Sequence, residues 1–110
     1  MAITSTQSQH PASVCNVAVG RYIDTGTVDA FTITTGFQPR YVRVQNLAAT
    51  GARMEWYEGM DDDSGWKTVV AGDQSLATSN GITVSVSGFT VGLDTDVHVA
   101  SEQISWMALG

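Results

Sequence analysis

The chain predicts an all-β protein: an antiparallel β-sandwich of about seven or eight short strands, with a polar N-terminal arm. Three observations predict it. Apolar residues recur with period two from Ser13 onward. β-Branched residues dominate those stretches, and no window carries a helical stripe. Glycine, aspartate, asparagine and proline clusters (DTGT, TTGFQP, ATG, DDDSG, AGD, TSNG, GLDTD) punctuate them.

Taken in order, residues 1–12 are rich in Ser, Thr and Gln and end near Pro11. They bury too little to fold alone and read as an arm, leaving 13–110 as one β-sandwich domain. Strands are expected at 14–22, 29–35, 40–46, 52–58, 66–70, 81–87, 89–91 and 97–109. Alternation assigns their faces. Val42 and Val44 point inward against Arg43, and Met54 and Trp56 against Arg53, Glu55 and Tyr57. Ile104, Trp106 and Ala108 share one face, with Ser105 and Met107 on the other. In GITVSVSGFTVG, Ile82, Val84 and Val86 are expected in the core, with Thr83, Ser85 and Ser87 opposite.

Charge narrows the function. The net charge is −6 with only five basic residues, none after Lys67, so a phosphate-binding surface for nucleic acid is excluded. The first dozen residues lack a basic leader and an apolar core, which predicts synthesis in a cytoplasm without ordinary export. No run approaches the ~18 apolar residues of a membrane helix. The lone Cys15 sits in SVCNVAV and reads as a small buried side chain.

From Gln74 through Leu93 no charge appears. Strands that face water or a free edge are usually guarded by charges, prolines or bulges. Their absence predicts that Thr83, Ser85 and Ser87 are covered by protein, as in a homo-oligomer or a lattice-bound subunit. The alternative is that these hydroxyls solvate an open face. Arg40, Arg43 and Arg53 lie opposite the core and either meet acidic groups of a partner or pair across strands with Glu55 or Glu58.

No catalytic constellation emerges. Asp96 and His98 would merely share a strand face, His10 lies in the arm, and no nucleophile elbow or phosphate loop is present. No catalytic residue, cofactor or metal is assigned. Asp61, Asp62 and Asp63 resemble the start of a calcium loop, but the distal glutamate and following helix are missing, so a solvated turn is expected. Tyr57 and Trp66 flank that turn. With Asp61 and Asp63 they compose an alternative platform for a surface glycan, while packing is the plainer role for both aromatics.

The segments TGFQPRYVRV, MEWY, GITVSVSGFTVG and ISWMALG together resemble the H-type lectin fold, a jelly-roll-like sandwich. Gly88, Phe89 and Thr90, with Trp106 and Ala108, fall on its fold hallmarks. Those positions build the sandwich and its oligomer, so sugar binding does not transfer with them. GFQPRYVRVQN, EWYEGM and the final GFTV…W pattern also resemble small virion proteins of tailed bacteriophages. That resemblance implies a non-enzymatic decoration or cement subunit, assembled in the host cytoplasm and resident in the virion. It would act as a homodimer or homotrimer bound to the major capsid protein. A lectin-like tail or fibre module for host attachment is the alternative.

Overall fold

The computed structural model describes residues 16–26, 29–48 and 51–110. The arm at 1–12, His10 and Cys15 lie outside the described residues. Eight strands form: β1 (Val17–Ile23), β2 (Phe31–Thr34), β3 (Tyr41–Asn46), β4 (Arg53–Tyr57), β5 (Ser64–Thr68), β6 (Gln74–Ser85), β7 (Gly88–Val91) and β8 (Gln103–Leu109). All neighbours are antiparallel, in the order β1-β8-β3-β4-β5-β6-β7-β2. The layers of the sandwich are therefore one continuous ladder curled on itself rather than two separate sheets. Its ends approach where Tyr22 of β1 stacks on Phe31 of β2, ring centroids 4.5 Å apart.

The inner face holds the core. Val42 and Val44, Met54 and Trp56, Ile82, Phe89, Val91, Ile104 and Ala108 are all buried, as alternation requires. Phe89 meets Trp106 edge-to-face at 5.5 Å across the fold. Trp106 in turn lies over Gly20, where an added Cβ would sit 2.6 Å from its ring. That glycine is a packing requirement of the indole.

Three expected boundaries move. The TSNG cluster is not a hairpin loop; it lies within β6, at a bulge where Gly65 pairs with Ala77 but Ser64 pairs with Ile82. Asp63, at φ 60°, accepts the Gly81 amide on its carboxylate at 3.1 Å, which anchors the bulge. Val86 is 80% exposed, because residues 86 and 87 form the β6–β7 turn instead of continuing the strand. The last strand begins at Gln103, since 94–98 forms a turn capped by Asp94, whose Oδ1 accepts the amides of Asp96 and Val97.

That turn is fastened by polar groups that alternation alone does not locate. Lys67 projects from β5 into the mouth of the fold and meets Asp94 at 3.0 Å and Asp96 at 2.7 Å. Buried Asn46 donates to the Asp96 carbonyl and to Glu102. His98 is buried too, its Nδ1 3.1 Å from the Gly92 carbonyl and its Nε2 3.3 Å from Asp24 Oδ2. Asp96 and His98 thus face different partners rather than sharing a strand face. The amide of Gly26, then the amide of Asp29 and the imidazole of His98, outweigh burial and hold the Asp24 carboxyl below its usual value.

Candidate interaction surface on the outer sheet face

The outward residues of six strands line up through the register. One row runs Val19–Met107–Arg43–Glu55–Trp66–Leu76 across β1, β8, β3, β4, β5 and β6. The next runs Arg21–Ser105–Gln45–Arg53–Thr68–Gln74. On the other side Val17, Leu109, Tyr41 and Tyr57 stand in line. Between the first two rows lies a hollow of about 430 Å³, lined by Val19, Arg43, Gln45, Arg53, Ser105 and Met107 among others.

Charge is segregated onto this face. Three of the chain's five basic residues, Arg21, Arg43 and Arg53, point outward here, whereas Glu55 is the one acid at an outward position of β1, β8, β3, β4 and β5. Arg21 and Arg43 enter no ion pair among the described residues. A chain of net charge −6 therefore carries a locally cationic hollow.

Glu55 organises the surface. Its Oε2 accepts the Tyr41 hydroxyl at 2.6 Å and the Tyr57 hydroxyl at 3.2 Å, while Oε1 lies 3.4 Å from Arg53 Nε. The Arg53 contact is close enough for an ion pair but not aligned as a hydrogen bond. Burial first, then the bond to Glu55 and its charge, push the Tyr41 hydroxyl up to about 12. Desolvation and the same carboxylate raise Tyr57. Gln45 is fixed as well, donating to the carbonyls of Asn46 and Gly51. The hollow is thus preformed.

The residues singled out from sequence divide into three groups. Arg43 and Arg53 join the hollow; Arg40 does not, lying 3.8 Å from Glu58 in an exposed pair. Arg53 pairs along its own strand with Glu55, and Arg43 sits opposite Glu55 in register without an ion pair. Tyr57 and Trp66 share the outer face and are partly exposed. Asp61 lies apart from them, beside a smaller hollow of about 230 Å³ that also involves Met60, Leu76 and Thr78. Asp63 is engaged with Gly81. Among the described residues no three His, Cys, Asp or Glu side chains gather to hold a metal ion.

Thr83, Ser85 and Ser87 have work inside the chain. The Thr83 hydroxyl accepts the Asp63 amide at 3.1 Å, and the Ser85 hydroxyl donates to the Gly88 carbonyl at 3.3 Å. Ser87, in the turn, accepts the amides of Thr35 and Gly36 on its carbonyl. The Thr83 and Ser85 hydroxyls and the Ser87 carbonyl therefore each have a partner within the chain.

Arg21 and Glu55 escaped the sequence reading as site residues. The signal for Arg21 was its parity with Val17 and Val19. Its place on the same face as Arg43 and Arg53 depends on β8 lying between β1 and β3, which one sequence does not disclose. No family model, curated protein or solved structure matches the chain, so the fold and this face carry the functional argument.

Proposed function

We propose that the chain is a non-enzymatic structural subunit that self-associates and seats its outer sheet face on an acidic surface of a larger protein assembly. One observation carries the reading: Arg43 and Arg53 line a preformed hollow, and Arg21 stands on the same outer face, on a strongly acidic chain. Arginines presented by rigid strands, Arg21 and Arg43 outside any ion pair among the described residues, suit carboxylate-rich partners, because the planar guanidinium binds carboxylate through two parallel hydrogen bonds. Apolar Val19, Met107 and Leu76 in the same row supply contact area beside the charges. The resemblance of GFQPRYVRVQN and EWYEGM to small tailed-phage virion proteins suggests the assembly, a capsid shell whose exterior the subunit decorates. The test is co-sedimentation with undecorated capsids. Binding that weakens with salt and falls at least tenfold on Arg43→Glu supports the reading; binding indifferent to Arg43→Glu and Arg53→Glu overturns it.

A second reading is favoured by Tyr57 and Trp66 standing on one exposed face beside Glu55. Aromatic platforms with a nearby carboxylate suit a glycan. Glycan-array binding competed by free sugar, and lost on Trp66→Ala, would select this function. Absence of any sugar competition would remove it.

A further inference from the structure

From the hydrogen-bond parity of β1 we infer that the chain dimerises by pairing this edge strand, antiparallel, with β1 of a second copy across a two-fold axis. This rests on the self-association included above and names its geometry.

Strand β1 ends the ladder, so one side of it has no strand neighbour among the described residues. Asn16 and Gly110 exchange both backbone hydrogen bonds, at 3.2 and 2.9 Å. Antiparallel ladders alternate, so Ala18, Gly20 and Tyr22 also turn their amides and carbonyls toward β8. Those of Val17, Val19, Arg21 and Ile23 therefore point away from the sheet. No described residue takes them up. Of the usual guards of an edge the strand carries one charge, Arg21; it has no lysine, proline or bulge, and Val19 is 70% exposed.

The edge is complementary to itself. With Gly20 opposite Gly20 of the second copy, Val17 faces Ile23 and Val19 faces Arg21. These four are the residues whose polar groups point outward. Each becomes a narrow hydrogen-bonded pair exchanging two bonds, about eight bonds in all. Val17 and Ile23 then form an apolar cross-strand pair at each end. Centring on Arg21 instead would set two guanidiniums face to face, and centring on Val19 would leave part of the strand beyond the pairing. The other edge, β2, is only four residues long. Pairing β1 with β2 of another copy would also propagate without closing, whereas β1 with β1 closes.

The dimer would extend the outer face through the axis. Val19 borders the arginine hollow, so the two hollows flank the junction and six arginines face one way. Two modest docking sites held in fixed relation bind a repeating surface far more tightly than one.

The experiment uses the full chain at about 100 µM. Light scattering is expected to give twice the 11.7 kDa mass for the unaltered protein. Val19→Pro removes an amide that serves only the outer side of β1 and leaves the β8 ladder intact. It is expected to weaken dimerisation at least tenfold while keeping the native circular dichroism. Register is read independently of that variant's folding, in a Cys15→Ser background. Val19→Cys with Arg21→Cys should form an intermolecular disulfide under mild oxidation, since narrow pairs hold Cα atoms about 5.5 Å apart. Val17→Cys with Val19→Cys should not. A monomer, a trimer, a folded Val19→Pro dimer, or cross-linking by the control pair alone would overturn the inference. Capsid binding is scored separately: a monomer that still binds through Arg43 sinks the dimer alone, and a dimer that binds nothing sinks the docking proposal alone.

Discussion

Lys67 Nζ and Asp96 Oδ2 stand 2.7 Å apart at the mouth of the curled sheet, with Asp94 Oδ2 3.0 Å from the same ammonium. Lys67 occupies a core-facing position of β5, opposite Met54. Burial alone would push its ammonium down, but the hydrogen bonds to Asp96 and Asp94 and their charges outweigh it, so its pKa lies above the ordinary lysine value. The pair therefore pins the turn at 94–98 to the sheet. Replacing Lys67→Ala should cost about 2–3 kcal/mol, below the full figure for a buried pair because Asp96 is partly open to water. Urea denaturation checks it, and a loss under about 0.5 kcal/mol would place the pair among ornamental surface contacts.

The same pair sets one end of the stability curve. A lysine raised by folding stabilises fully below its unfolded value of about 10.4 and loses that contribution as pH climbs through the higher folded value. Neutral and mildly alkaline solutions should leave the turn intact. Lys67→Ala should narrow its stability deficit only at strongly alkaline pH.

Tyrosine titration gives a sharper reading. All three tyrosines are raised, each chiefly by desolvation, with Asp24 adding to it at Tyr22 and Glu55 at Tyr41 and Tyr57. Tyr41 reaches about 12. The unfolded chain sheds these protons first, so stability should fall as pH rises past about 10. Phenolate absorbance of the native protein should lag that of the denatured protein. A native tyrosine titrating at the ordinary value would contradict the Glu55 cluster if Tyr41→Phe abolished that signal.

Gly20→Ala tests the contact between β1 and Trp106. The new methyl would lie 2.6 Å from the ring, and the indole is already held against Phe89. A loss of about 1–3 kcal/mol is expected, although alanine suits a strand better than glycine does. A gain in stability would show that the indole can move aside.

Val86 and Phe89 make a matched pair, three residues apart. Val86→Ser should lie within about 0.5 kcal/mol of the unaltered protein, because the side chain is already in water. Phe89→Ala should cost about 3–5 kcal/mol, since the ring is fully buried. Thermal denaturation of the two, side by side, separates turn from core.

All eight strands were legible in the alternation, and so were the inward faces of Val42, Val44, Met54, Trp56 and Ile104, because burial on one side of a pleat writes a period of two. Val86 was misplaced since alternation runs through a tight turn unaltered when the turn residues are Ser and Val. TSNG reads as a loop for the same reason that it forms a bulge: Asn80 adopts φ 56° and Gly81 allows the Ser64 backbone to come close. The arginine hollow was half visible. Arg43 and Arg53 declared their face, but that Arg21 shares it depends on the strand order. The polar fastening of 94–98 was hidden because Lys67, Asn46 and Asp24 are far from it along the chain.

The strand order also governs how the protein must fold. Strand β8 slots between β1 and β3, both made long before it. Until residues 103–109 arrive, those earlier strands have no neighbour on that side, and their completion waits on long-range pairing that is slow to nucleate. A nascent chain halted before Gln103 would present two naked flanks and invite aggregation. Completion of the sheet should therefore wait on residues 103–109, and a circular permutant that begins at β8, so that β8 directly precedes β1 in the chain, should fold faster to the same sheet.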